Sequence, residues 1–462
     1  MGKKIAVIGG GPGGYVAAIR AAQMGAETTL IESGKLGGVC LNVGCIPTKA
    51  LLRSAHEVYA LKTGAYAGLL ADNVRLDWDK LQEHKEGIVS RLTGGVENLL
   101  KANGVKIIRG RAGLQSDKSI IVDGKIPVQA DVIILAVGTS PSSPPIPGLD
   151  SEGVIDSTGA LSLSEIPESM VIWGVGVVAL EFASMFNAAG TDVTVIGRRP
   201  GILKEMDAQV GETLRKAMQE EGVSFLSGST ITGVKKTAKG LAMTVQSGEE
   251  KKELKAETLL VATGRKVNTE GLGLENLSIR LDGDAIAVDD KFMTNVPGIY
   301  AIGDCNGQVM LAHAASAQGI AAVEHALGHP SFYNGDAVPS CVYTTPEIGS
   351  VGLTEAGAKE RGIDYNVGHF PLAGNGKAMI EGYTDGFVKL IFDKEYDGLI
   401  GAHIIGPGAT EMITELSLAI SMQATVDEIT ATIHPHPTVN EAVAEAALDA
   451  KGIAIHWISK KR

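Results

Sequence analysis

The chain has 462 residues, 44% of them hydrophobic, enough for two to four domains with cores of their own. Its 41 Lys and Arg stand against 53 Asp and Glu, and the net charge of −12 argues against a binder of phosphate backbones or anionic membranes, so no nucleic-acid partner is expected. No stretch reaches the roughly 18 consecutive apolar residues of a membrane helix. Glycines break the short apolar run of MGKKIAVIGGGPGG, and four cysteines make no disulfide framework. A soluble, cytoplasmic protein without membrane contact is expected.

In chain order, the β-rich runs KKIAVIGG, ETTLIES, VKIIRG and DVIILAVGTS alternate with helical stretches such as YVAAIRAAQMGA, the grammar of parallel βαβ units. The first of them carries Gly9-x-Gly11-x-x-Gly14 between strand and helix. Gly9 permits the tight turn, Gly11 lets backbone approach a pyrophosphate, and Gly14 allows close helix–strand packing, with the helix N-terminus facing the negative charge. Glu32, 23 residues after Gly9, stands where such a cradle places its ribose-binding acid.

GGVCLNVGCIPTKALL then sets Cys40 and Cys45 five positions apart. A metal clip, a structural staple and a redox pair all begin this way. On a regular helix five residues turn the chain by about 500°, leaving the side chains about 140° apart, so a bridge needs an irregular turn. Asn42, Gly44 and Pro47 can supply one. A zinc site wants four ligands, commonly a second close pair, and neither Cys305 nor Cys341 has a nearby Cys or His arranged that way, so no metal is expected. Both read as small core residues.

After PSSPPIPG, a linker at 141–148, the grammar repeats in ESMVIWGVGVVALEFASMFNAAGTDVTVIG. The second cradle is Gly174-x-Gly176-x-x-Ala179, with the tolerated alanine in third place. Its ribose-acid position, again 23 residues on, is Gly197, followed by Arg198 and Arg199. No carboxylate there meets a 2′-hydroxyl, and two guanidiniums can fork onto a 2′-phosphate, so NADP(H) is favoured over NAD(H). A solvated basic turn is the plain alternative. Two nucleotide sites in one chain suggest a flavin and a nicotinamide. TNVPGIYAIGDC, 294–305, reads as a further buried strand, and from about 336 the texture becomes α+β, with FVKLIFD as a strand and a helical tail EAVAEAALDAKGIAIHWI.

Along its whole length the chain resembles the pyridine-nucleotide disulfide oxidoreductases, and within them the lipoamide branch, whose redox motif reads close to CLNVGCIPTKAL. The resemblance implies an α/β fold of two Rossmann-like dinucleotide-binding domains plus a C-terminal α+β dimerisation domain. FAD would occupy 1–142 and 266–335, NAD(P) 143–265, and the dimerisation domain 336–462. It implies that Gly113 meets the adenine, that Asp304, near Ala312 and His313, holds the flavin's ribitol, and that the chain leaves the nicotinamide domain near Gly264. Cys40 and Cys45 would form a redox disulfide, Cys40 meeting substrate and Cys45 lying against the flavin near Lys49. Glu181 would stand near the nicotinamide; read alone it is a helix-surface acid.

HPHPTVNEAV resembles the branch's acid–base segment, which makes His436 the proton carrier and Glu441 its orienting carboxylate, supplied by the neighbouring subunit of a homodimer. His434 has no assigned role. The implied reaction oxidises dihydrolipoamide, free or on the lipoyl carrier of a 2-oxo acid dehydrogenase or glycine cleavage complex, with NAD(P) as acceptor. An NADPH-dependent reductase of a glutathione-type disulfide, and a nucleotide-binding redox sensor without turnover, stand as alternatives.

Overall fold

In the computed structural model, which describes residues 2–64 and 66–458, the apolar run of KIAVI becomes β1 (Lys4–Ile8), the first strand of a parallel sheet. It is followed by α1 (Pro12–Gln23), β2 (Glu27–Glu32), α2 (Gly38–Val43), α3 (Cys45–Thr63), α4 (Trp78–Ala102), β3 (Lys106–Arg109) and β4 (Val132–Leu135). The second βαβ run supplies β5 (Ser169–Trp173), α5 (Val177–Ala189), β6 (Asp192–Gly197), α6 (Ala208–Glu220), β7 (Ser224–Ser227) and β8 (Thr258–Val261). Next come β9 (Ile299–Ala301) and α7 (Ala312–Ala326). The C-terminal part holds β10 (Ser340–Val342), β11 (Ile348–Gly352), β12 (Tyr365–Pro371), β13 (Phe387–Asp393), β14 (Leu399–Ile405), α8 (Ala409–Ser421) and α9 (Glu441–Ala450).

Contacts divide the chain into two units. One comprises Met1–Ala50, Lys80–Ser142 and Gly264–Tyr333. Its parallel sheet has the order β9-β4-β1-β2-β3, so the strand order reverses beside β1, where a doubly wound sheet opens its ligand crevice. Ile5 and Val7 of β1 face one core with Leu30 and Ile134; Ala6 and Ile8 face another with Ile31 and Leu135. Both faces are covered, which is why these strands read as continuous apolar runs. A three-stranded antiparallel sheet of 112–114, 120–122 and 126–128 covers the second face.

The other unit comprises Leu51–Asp79, Ser143–Thr263 and Asn334–Arg462. Its parallel sheet, β7-β6-β5-β8 with a short strand at 154–155, repeats the reversal beside β5. Residues 51–79 belong here through specific bonds: His56 lies between Ser184 Oγ (2.8 Å) and Thr345 Oγ1 (2.9 Å), and Trp78 Nε1 donates to Leu163 O at 2.9 Å. The antiparallel sheet β10-β11-β14-β13-β12 carries α8 and α9 over an apolar core of Leu390, Ala402, Ile413 and Ala446 among others. Lys389, only 4% exposed, binds both carboxylate oxygens of Asp207 at 3.0 Å and also pairs with Glu355. Asp207 in turn caps α6 by accepting from Gln209 N.

The α/β class with two Rossmann-like halves and an α+β C-terminal part is thus observed. Two elements are shorter than their sequence patterns. TNVPGIYAIGDC yields only Ile299–Ala301, because Gly303 (φ 69°) turns the chain into a single 3-10 turn. The tail helix stops at Ala450, where Gly452 (φ 72°) supports the reversal.

Candidate active site

Each glycine of the first cradle has a measurable reason. Gly9 has φ 106°, and a Cβ there would stand 2.2 Å from Ala136 O. A Cβ on Gly14 would stand 1.8 Å from Gly9 O. Gly11 meets nothing nearer than Gly38 Cα at 3.9 Å, so its face is open, and Pro12 begins α1 where no N–H partner is needed. Glu32 ends β2 over this turn: one carboxylate oxygen accepts from Gly10 N (2.6 Å), the other from Gly34 N (2.5 Å). Each oxygen retains acceptor capacity for a hydroxyl. Gly110 N donates to Glu32 O, and Gly113, three residues on, lies in the antiparallel sheet opposite Ile121, its Cβ position 3.8 Å from Ile121 O.

The same unit holds the thiols. Cys40 lies in α2 and Cys45 begins α3, so the irregular turn is Gly44 itself, at φ −145° and ψ −119°. A Cβ on Gly44 would meet Val39 O at 2.8 Å and Cys40 Cα at 3.2 Å, so only glycine lets α3 start this close to Cys40. Asn42 Nδ2 donates to Leu36 O (2.9 Å) and Gly38 O (2.8 Å), fixing α2 to the loop before it. Thr48 Oγ1 donates to Gly44 O at 2.7 Å, and Pro47 is buried in the first turn of α3. Across this turn the side chains of Cys40 and Cys45 are within hydrogen-bond reach of each other. That bond, then burial and the charge of Cys45, hold the Cys40 thiol far above its ordinary range, against the opposing pull of Lys49. Cys45 is exposed and Cys40 half-buried. Cys305 is buried and Cys341 half-buried, both remote from this turn in sequence.

Asp304 sits in a three-part relay that sequence reasoning missed. Thr139 Oγ1 donates to Asp304 Oδ2 (2.6 Å) and accepts from Arg265 Nε (2.6 Å), while Arg265 Nη2 donates to Thr139 O (2.8 Å). Arg265 therefore steadies the Asp304 carboxylate through a hydroxyl. Its neighbour Gly264 is where the chain rejoins this unit, with Ser142 N donating to Gly264 O. The twin strings AVGTS and VATGR, each closing a strand, were the available signal. Ala312 opens α7, which crosses α1 closely: a Cβ on Gly13 would stand 3.0 Å from Ala315 O. The N-termini of α1 and α7 are joined by Ser316 Oγ donating to Pro12 O.

The second cradle, in the other unit, repeats the device. Gly174 has φ 147° with its Cβ position 2.3 Å from Ala262 O, and Gly176 has nothing within 4 Å. Ala179 is fully buried and its methyl fits. Gly197 ends β6 and is buried, whereas Arg198 and Arg199 are exposed. The loop carrying them is held by its backbone: Gly228 N donates to Arg199 O (3.4 Å), Arg215 Nη1 to Pro200 O (3.4 Å) and Leu203 N to Val175 O (3.1 Å). Glu181, expected from its helix pattern to be a surface acid, is 3% exposed and accepts from Tyr343 N at 3.1 Å. The helix is apolar over most of its length, and Glu181 lies within its buried run from Ala179 to Phe186.

His436 and Glu441 form a dyad at the start of α9: Nδ1 lies 3.0 Å from Glu441 Oε1, and Glu441 Oε2 accepts from Thr438 N at 3.0 Å. Burial opposes the Glu441 charge, but these two bonds outweigh it and keep the carboxyl below its ordinary range. The His436 side chain is 81% exposed, so its second ring nitrogen faces away from the chain's own core. His434 has a partner after all. It bonds Glu415 at 3.0 Å, and Glu415 also accepts from Asn440 Nδ2 at 2.5 Å, so one carboxylate anchors both ends of the segment bearing His436.

Both cradles fit a dinucleotide: an open glycine at a helix N-terminus, preceded by a glycine that no side chain could replace and closed behind by Gly14 in the first and by the buried methyl of Ala179 in the second. Among the described residues no three His, Cys, Asp or Glu side chains converge as metal ligands do. Nor is any described helix long and apolar enough to cross a membrane.

The profile of the pyridine nucleotide-disulphide oxidoreductases matches residues 3–319, and that of their dimerisation domain residues 338–447. The chain is 42% identical over 459 residues to the dihydrolipoyl dehydrogenase of Geobacillus stearothermophilus, covering 98% of this chain and 97% of that protein. It is 40% identical over 470 residues to that of Haloferax volcanii, covering 99% and 98%. Among solved structures, LpdA of Mycobacterium tuberculosis superposes with a TM-score of 0.90 at 28% identity, covering 96% of this chain and 99% of that one. The flavoprotein disulfide reductase RclA of Escherichia coli gives 0.85 at 27%, covering 95% and 98%. By sequence over nearly its full length and by fold, the chain belongs to the pyridine nucleotide-disulphide oxidoreductase family.

Proposed function

We propose that the chain oxidises dihydrolipoamide to lipoamide, as a homodimer using FAD and a nicotinamide nucleotide. The observation that carries this is the thiol pair drawn together across Gly44, in a chain that matches dihydrolipoyl dehydrogenases from end to end. FAD, held by Gly9, Gly11, Gly14, Glu32, Gly113, Asp304 and Ala312, supplies the two-electron relay between thiols and nicotinamide. The oxidised resting form has a Cys40–Cys45 disulfide. His436, oriented by Glu441 of the same copy and serving a neighbouring copy, takes the proton of a substrate thiol. The thiolate attacks the sulfur of Cys40 and releases Cys45 as a thiolate; the second substrate thiol then displaces Cys40, closing the cyclic disulfide and leaving the enzyme dithiol. Lys49 would stand near the flavin and favour its reduced, anionic form. Glu181 and the second cradle, Gly174 to Ala179, serve the nicotinamide half, and Gly264 marks the return to the flavin domain. We keep the division 1–142 and 266–335 for FAD, 143–265 for NAD(P) and 336–462 for dimerisation, and a cytoplasmic location.

The basic loop, Gly197-Arg198-Arg199, supports NADP(H) as the preferred nucleotide. It equally favours an NADPH-dependent reductase of a glutathione-type disulfide as the second reading. The physiological partner is the lipoyl carrier of a 2-oxo acid dehydrogenase or glycine cleavage complex. Steady-state rates with dihydrolipoamide and with glutathione disulfide, each with both nucleotides, test substrate and cofactor together. Cys40→Ser should lower dihydrolipoamide oxidation by about 10³-fold or more. Turnover of glutathione disulfide alone would overturn the lipoamide reading.

A further inference from the structure

Position 175 lies between the two glycines of the second cradle, where a dinucleotide fingerprint sets no residue. In the first cradle the same place is Gly10, and Glu32 uses the room. Its Oε2 accepts from Gly10 N, and a Cβ built on Gly10 would stand 3.1 Å from that oxygen. In the second cradle the two residues are exchanged in character. Position 175 is valine and the acid position is Gly197, where a Cβ would stand 2.5 Å from Val175 Cγ1 and 3.3 Å from Cγ2. Neither residue is free to drift. Gly197 is the last residue of β6, in register with Ser227, and Val175 O accepts from Leu203 N. Valine, branched at Cβ, has few χ1 wells to move into.

We propose that Val175 is a specificity-determining residue: its methyl groups close the ribose-acid position, so that discrimination between a 2′-hydroxyl and a 2′-phosphate is set by Val175 and Gly197 as a pair. Arg198 and Arg199 supply charge to a position the pair has already denied to a carboxylate. This rests on the NADP reading above. Restoring the acid alone therefore cannot restore the site of the first cradle; both residues must revert.

Titration calorimetry of the purified flavoprotein with adenosine 2′,5′-bisphosphate and with 5′-AMP reads the adenosine half-site without turnover. Wild type should bind the bisphosphate about tenfold tighter or more. Gly197→Glu should weaken both ligands and gain nothing for AMP. Val175→Gly with Gly197→Glu should bind AMP about tenfold tighter than wild type, by a charge-assisted bond to the 2′-hydroxyl, and lose the bisphosphate. A steric control guards against misfolding: Gly197→Ala should lower Tm by about 2 °C or more when Val175 is present, and distinctly less in a Val175→Gly background. Gly197→Glu binding AMP as tightly as the double variant, or Gly197→Ala costing the same in both backgrounds, overturns the pairing. A wild type indifferent to the 2′-phosphate overturns the NADP reading instead, and the alanine cycle still decides the pairing.

Discussion

Beside the first cradle, where the Glu32 carboxylate bridges the N–H groups of Gly10 and Gly34, the second cradle has no acid and a loop whose backbone is tied down beyond the arginines. Strand, turn and helix are alike in the two, and so is the first glycine of each, which would collide with backbone if it carried a Cβ. The difference lies in what the tip of the second strand spends its polar groups on. Glu32 is consumed in part by ordering its own turn. Arg198 and Arg199 are exposed while their loop is held elsewhere, so their donors remain directed at solvent or ligand. One scaffold thus yields a self-organised anionic tip and an outward-facing cationic one.

The largest effect should come from the residue pair that closes each turn. Gly14→Val forces side-chain atoms onto Gly9 O, where even a Cβ would stand at 1.8 Å, and should cost about 3 kcal/mol or more and yield protein without bound flavin. Ala179→Gly, at the equivalent place, should change stability by less than about 1.5 kcal/mol, the loss of one buried methyl. The ratio of flavin to protein absorbance and the denaturant midpoint check both. Next in size, Arg198→Ala with Arg199→Ala should raise KM for NADP(H) by about 10- to 100-fold and leave KM for NAD(H) within about threefold, the gap shrinking as salt is added. Equal losses for both nucleotides would make the loop a general anchor.

The smallest effect concerns the unit that carries the second cradle. Burial pushes His56 down to about 4 from 6.5, against the mild pull of Glu57, so it is neutral in the fold. Its contribution is complete above pH 6.5 and is lost as pH falls toward 4, because the unfolded chain takes up the proton first. Wild-type Tm should therefore fall faster than that of His56→Gln between pH 6.5 and 4. Parallel curves would show that His56 does not set the acid limit.

Both cradles were legible because their constraint is local: a glycine that must turn or touch backbone stands at a fixed interval from its strand. The thiol turn was legible for the same reason, since Gly44 adjoins Cys45. The relay from Arg265 through Thr139 to Asp304 was not, because its members lie 126 and 165 residues apart and no periodicity links them. The same holds for Lys389 with Asp207, 182 residues apart, whose lysine is flanked by apolar residues in its strand. Val175 was invisible for another reason. As a residue in a variable place it carries no pattern, and its meaning appears only when Gly197 is beside it.

That the two sulfurs belong to different helices with one residue between them makes their spacing a matter of phase. Each residue added to or removed from a helix start rotates everything after it by about 100°. A single insertion or deletion at position 44 would swing one sulfur away from the other while leaving both helices intact. The length of this turn is therefore as strict a requirement on the pair as the two sulfurs themselves.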